Sequence, residues 1–111
     1  MSSSYVPEAG DVVWLEFDPQ AGHEQAGHRP ALVLSSSVYN RPTGLMLCCP
    51  LTTKIKSYPF EVAVGSNRQA VVLADQVKNL DWRARQARFK ERVSAHELGQ
   101  VRARLRALIG A

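Results

Sequence analysis

The segment Gly22-His23-Glu24-Gln25-Ala26-Gly27-His28-Arg29-Pro30 gathers a carboxylate, an arginine and two imidazoles within nine residues, then runs into Ala31-Leu32-Val33-Leu34. Gly22 and Gly27 let the backbone turn where a side chain would clash, and Pro30 fixes the dihedral at which the chain enters the apolar run. Polar groups are thereby presented at the edge of a rigid element, as binding and catalytic loops present theirs. A solvated connecting loop explains the same composition, because turn formers and polar side chains dominate ordinary connections.

Metal-free cleavage of RNA is one chemistry this set could perform. A base must take the proton of a 2′-hydroxyl, donors must stabilise charge on the phosphorane, and the departing 5′-oxygen must gain a proton. Glu24 can be the base. Arg29 offers a planar fork for phosphate oxygens, and its very high pKa suits it to clamping charge better than to shuttling protons. The Thr52 hydroxyl, from the Thr52-Thr53 pair, can donate to a phosphate oxygen without adding charge. His28 has the most suitable pKa for proton transfer, but beside Arg29 at the start of a strand it can equally face away or stack on a base. Other chemistries lack their motifs: there is no GxGxxG, no GxxxxGK[ST] and no nucleophile elbow.

The 111 residues suit one domain with a single core. Hydrophobic residues make up 45% and charged ones 22%, a globular balance, and no apolar run approaches the roughly 18 to 20 residues that cross a bilayer. Met1-Ser2-Ser3-Ser4 is not a basic cluster leading an apolar region, so the expectation is a cytoplasmic protein. Cys48 and Cys49 are neighbours in an apparent strand, where they point to opposite faces and are not placed to pair. With His23 and His28 in one loop and His96 remote, no zinc spacing is present, and neither metal nor cofactor is expected. The net charge of +4 is uneven: residues 1–77 hold five Lys/Arg against seven acids, residues 78–111 nine against three. The basic half suits a polyanion, although Arg102, Arg104 and Arg106 fit a solvated face or an acidic protein partner equally well.

The elements that would position these groups are short. Residues 12–18 are β-branched and aromatic and are stopped by Pro19; residues 29–35 form a second strand. Residues 36–43, with Asn40, Pro42 and then Gly44, read as a connection of turn formers. Residues 45–49 are a continuous apolar run, a buried strand ended or bent by Pro50. A polar excursion over 52–58 precedes a strand in which Phe60, Val62 and Val64 alternate with Glu61 and Ala63. Residues 70–74 form another strand, leading into Asp75-Gln76-Val77-Lys78, and residues 85–93 read as a charged edge strand with Ala87, Phe89 and Val93 inward. Ser94 caps a final helix with Glu97 three residues on, and Leu98, Val101, Leu105 and Leu108 recur at helical spacing until Gly110. Strands in series without long helices between them predict a mainly β fold, a small antiparallel barrel closed by the C-terminal helix. Trp14 reads as core or interface before base platform. Tyr39, Tyr58 and Trp82 could stack on bases or cover the end of the barrel.

The chain resembles the MazF-type toxins of type II toxin–antitoxin pairs, the group that includes Kid/PemK and CcdB. The resemblance runs through Gly10-Asp11-Val12-Val13-Trp14, Phe17-Asp18-Pro19, Glu24-Gln25-Ala26-Gly27-His28-Arg29-Pro30, Tyr39-Asn40, Pro50 with Thr52-Thr53, Tyr58-Pro59-Phe60-Glu61-Val62, and Leu73-Ala74-Asp75-Gln76-Val77-Lys78 to Trp82-Arg83-Ala84-Arg85. It implies a single toxin domain over 1–111, an SH3-like barrel assembled as a homodimer. The implied activity is sequence-specific, metal-independent cleavage of single-stranded RNA, leaving a 2′,3′-cyclic phosphate and a 5′-hydroxyl and so arresting translation and growth. It places catalytic roles on Arg29, Thr52 and Glu24, and RNA contacts on His28, Thr53, Lys56, Tyr58 and Gln76. The implied partner is a MazE-like antitoxin whose acidic tail occupies the RNA groove. His23, Leu51 and the arginine-rich tail do not carry over, which leaves the RNA word and the antitoxin contacts open. The alternatives are a non-catalytic, CcdB-like poison of DNA gyrase and a barrel that only binds RNA.

Overall fold

The structure, a computed structural model, describes residues 4–17 and 27–111. In chain order the elements are β1 (Asp11–Phe17), β2 (Gly27–Val33), α1 (Ser37–Thr43), β3 (Leu45–Thr52), β4 (Glu61–Val64), β5 (Ala70–Leu73), β6 (Lys78–Asp81), β7 (Arg88–Arg92) and α2 (Ala95–Ile109). The strands form one curled antiparallel sheet in the order β4-β5-β3-β2-β1-β7, with β6 pairing to β3 off that path. The fold is mainly β with a C-terminal helix, as the short strands in series predict.

Both faces of the sheet are covered at β1, β2 and the first part of β3, which explains the apolar runs of those strands. Val12, Leu32, Cys49 and Val72 face one cluster, sealed by Val101, Leu98 and Leu105 of α2. Val13, Leu15, Val33, Met46 and Cys48 face the other, covered by Trp82 and the N-terminal Tyr5 and Val6. Neighbouring residues thus serve opposite cores, and Cys48 and Cys49 are both buried and free. Ser94 and Glu97 form the reciprocal capping box at the start of α2, and Gly110 closes the helix in the left-handed conformation (φ 77°). Leu108 departs from the expected stripe: it is 46% exposed at the last turn of the helix.

Other readings of the sequence are also corrected. Residues 36–43 are not an open connection, because Ser36 accepts the Val38 N–H to begin α1 and Gly44 (φ 73°) ends it. The turn formers act here as caps, and the helix is pinned by fully buried Asn40. The Asn40 side-chain amide donates to the Pro7 and Ser35 backbone carbonyls at 2.8 and 3.0 Å, and the backbone carbonyl of Asn40 accepts the Trp82 indole N–H at 2.9 Å. Trp82 is therefore core. Secondly, Phe89 and Val93 do not share a face. Val12 pairs with Glu91 and Val13 with Phe89, so Lys90 is an extra, bulged residue that flips the side-chain alternation. Phe89 is left 53% exposed, edge-on to Tyr5, whereas Val93 enters the core. Leu47 likewise breaks the buried run of β3, at 39% exposure. Of the two readings of Pro50, that it ends the strand is also corrected, since β3 runs on to Thr52, as taken up below.

Buried Asp11 ties three segments together, accepting from the Tyr5 hydroxyl at 2.6 Å, the Glu8 amide at 3.1 Å and the Arg92 guanidinium. Asp11→Ala, which takes the acceptor from the Tyr5 hydroxyl and the Glu8 amide while the half-exposed Arg92 keeps the Ala9 carbonyl, is expected to cost about 2 kcal/mol by denaturant melt. Burial also pushes the Cys48 and Cys49 thiols up to about 11 and about 12. Because the raised values favour the neutral thiols of the folded state, this stabilisation is fully present below the ordinary thiol pKa and is lost as pH climbs through the raised ones. A Cys48→Ala/Cys49→Ala double variant should show a flatter decline of melting temperature in alkali than the parent protein.

Candidate active site

Strand β3 does not stop at Pro50. It changes partner there: Cys48, Cys49 and Pro50 lie opposite Val33, Leu32 and Ala31 of β2, whereas Leu51 and Thr52 lie opposite Val72 and Val71 of β5. A proline has no N–H for the ladder, which suits it to the crossing point. Continuing the β2–β3 register by two residues would set Arg29 across from Thr52, but the pairing has ended and the strands diverge. Side-chain alternation puts Arg29 on the face of Ala31 and Val33, and Thr52 on the face of Cys48 and Pro50.

The divergence opens a cleft of about 500 Å³ lined by Trp14, Gly27, His28, Arg29, Pro30, Leu51, Thr52, Thr53 and Ala70. Four of the residues singled out in the sequence, Arg29, Thr52, Thr53 and His28, therefore share one opening. Strand β2 begins at Gly27, two residues earlier than expected, so His28 and Arg29 stand on the sheet itself. Gly27 has φ 135°, a conformation that L side chains rarely adopt. His28 lies across the ladder from Glu16, with 4.0 Å between Nε2 and the carboxylate, at a half-exposed position where such a pair adds little to stability. Thr52 Oγ1 accepts the Lys54 N–H at 3.1 Å, which fixes the oxygen while the hydroxyl proton can still be donated outward. Trp14, half-buried, lines the same cleft and carries Lys90 over its ring at 5.4 Å. Glu24 and His23 lie outside the described residues.

A second cleft, of about 570 Å³, is lined by Thr52, Lys54, Lys56, Ser57, Tyr58, Pro59, Glu61, Leu73, Asp75 and Gln76. Thr52 borders both. Lys56, Tyr58 and Gln76 are thus gathered beside the first cleft, on the far side of the threonine from Arg29. Tyr58 is 48% exposed, and its phenol donates to Asp75, a contact that raises the phenol's pKa. Sequence reasoning missed Asp75 and Glu61 as parts of this cleft. Alternation accounts for Glu61 as the wet side of β4, and nothing in its spacing marks what its carboxylate holds. The basic tail is partly engaged within the fold: Arg102 donates to the Leu34 carbonyl and Arg104 to that of Pro59.

Residues 8–109 match the family described as PemK-like, MazF-like toxin of type II toxin–antitoxin system. The chain belongs to this family. It is 54% identical over 111 residues to the endoribonuclease toxin MazF of Escherichia coli strain K12, covering 99% of this chain and all of that one. It is 33% identical to the Escherichia coli endoribonuclease PemK, over 92% of this chain and 81% of that one. Among solved structures it is similar to the MazE–MazF crystal structure (form II) from Deinococcus radiodurans, with TM-score 0.91 and 52% identity, covering 96% of this chain and 98% of that one. No helix among the described residues is long and apolar enough to cross a membrane.

The Tyr58–Asp75 contact can be tested directly. Asp75→Asn removes the charge beside the phenol, so the alkaline titration followed by phenolate absorbance should show a Tyr58 transition at lower pH than in the parent, assigned by its absence in Tyr58→Phe.

Proposed function

We propose that this protein is the toxin of a type II toxin–antitoxin pair and a sequence-specific endoribonuclease that cuts single-stranded RNA without a metal. The observation that carries the reading is the shared cleft of Arg29 and Thr52 at the β2–β3 divergence. Arg29 and Thr52 grip the oxygens of the scissile phosphate, the guanidinium supplying charge and the hydroxyl a neutral donor. Glu24 takes the proton of the 2′-hydroxyl, whose oxygen attacks phosphorus. The bond to the 5′-oxygen breaks and that oxygen takes a proton from an acid among His28, Arg29 and the now protonated Glu24, leaving a 2′,3′-cyclic phosphate and a 5′-hydroxyl. The role of Glu24 rests on family resemblance and on its place in the sequence five residues before Arg29.

The second cleft continues the RNA path. Lys56 offers charge to the backbone, Tyr58 an exposed ring for a base, Gln76 a hydrogen-bonding edge, and Thr53 and His28 flank the phosphate. The family match supports reading residues 1–111 as one toxin domain, an SH3-like barrel acting as a homodimer and restrained by a MazE-like antitoxin. The cations that attract phosphates here, Arg29, Lys54 and Lys56, also attract the carboxylates of an acidic tail, which would shut out RNA by occupancy. A gyrase poison would have no need for Arg29 and Thr52 to share an opening.

Single-stranded RNA incubated with the protein in EDTA should be cut at discrete positions. Cutting should vanish when the nucleotide 5′ to the scissile phosphate is 2′-deoxy, and a cut deoxy substrate would rule out the proposed nucleophile. Arg29→Ala should lower kcat/KM by roughly 10²-fold or more while leaving the protein folded in a thermal melt, since the residue is exposed. End-mapping of fragments from a long transcript gives the recognised word.

A further inference from the structure

Glu61 is an acid facing a cleft that, on the reading above, receives a polyanion. By charge alone it should weaken RNA binding. Its contacts assign it another task. Both of its carboxylate oxygens accept the Lys56 N–H, at 3.2 and 3.1 Å, and one also accepts the Tyr58 N–H at 3.4 Å. Its own N–H donates to the Tyr58 carbonyl at 2.9 Å, closing the turn back into β4.

The segment these bonds hold, residues 53–60, pairs with no strand. Besides Glu61 it is held at its ends by the Lys54 N–H on Thr52 Oγ1, by the Phe60 carbonyl accepting the Ala74 N–H, by Phe60 packing on the core and by Arg104 of α2 donating to the Pro59 carbonyl at 3.0 Å, and at its centre by the contact of the Tyr58 phenol with Asp75. Ser57, between the two amides that Glu61 binds, has φ 58°, a left-handed conformation that a non-glycine residue keeps only when its surroundings fix it. The bonds to Lys56 and Tyr58 therefore hold the centre of the loop against relaxation.

We propose that Glu61 is a positioning residue for RNA binding: its carboxylate pre-orders the loop that carries Lys56 and Tyr58, and thereby the second cleft beside Thr52. This rests on the endoribonuclease reading. Without the carboxylate the loop would have to be ordered by the RNA itself, and affinity would fall by that entropy. Charge and order make opposite predictions for a shortened side chain, so the sign of the effect decides between them.

The test uses Glu61→Thr, whose side chain is too short to reach the Lys56 amide but suits a strand, and Glu61→Gln, which keeps an acceptor oxygen and discards the charge. The probe is a short RNA copied around a mapped cut, 2′-deoxy at the scissile nucleotide so that it binds without reacting. The expected result is about tenfold weaker binding by Glu61→Thr, faster hydrogen exchange at the amides of 56 and 58, and a raised KM with kcat little changed. Glu61→Gln should bind at least as tightly as the parent. Equal or tighter binding by Glu61→Thr would overturn the proposal, as would unchanged exchange at both amides. If Glu61→Thr fails to fold, slow exchange and retained binding in Glu61→Gln support the proposal, and fast exchange with retained binding overturns it. A parent protein that cuts no RNA would instead remove the endoribonuclease reading, an outcome distinct from any difference between the variants.

Discussion

The site depends on one missing hydrogen-bond donor. Pro50 has nothing to give a ladder, and at that residue β3 leaves β2 for β5. Had the β2–β3 pairing continued, Arg29 and Thr52 would be covered neighbours on a closed sheet. Because it ends, the same register that would have paired them leaves them as the two lips of an opening. The cleft is therefore a property of the sheet's topology, and its polar groups are held by backbone that is itself in regular structure.

That backbone is held on both sides. A small sheet with one covered face would leave half its strand residues in water, whereas here alternate residues of β1, β2 and β3 feed two separate cores. Burial on both faces explains why these strands read as continuous apolar runs. Asp11 joins the N-terminal arm and β7 to β1 through charged and neutral bonds that no water replaces cheaply, and α2 closes the opposite face under its capping box.

Much of this was legible in the sequence because the signals were local. Alternation over 60–64, the Ser94 and Glu97 pair and the stripe of α2 each follow from neighbours in the chain. What misled was chemistry with two uses. Ser36, Asn40 and Gly44 favour a turn and equally cap a short helix, and only burial of Asn40 against Pro7 and Trp82 decides between them. The bulge at Lys90 depends on what β1 presents opposite, which no window of β7 contains. At the site, chemistry alone left Glu24, His28 and Arg29 with open roles, and family resemblance narrowed them. Glu61 was invisible because the amides it binds belong to a loop whose shape its own sequence does not fix.

Thr52 borders both clefts, so it acts as a waist between them. Any molecule seated across that waist obstructs passage on both sides at once while covering little area. A compact ligand would therefore gain more from bridging the threonine than from filling either hollow alone, and on the proposed reaction a substitution that evaded it there would cost activity as well.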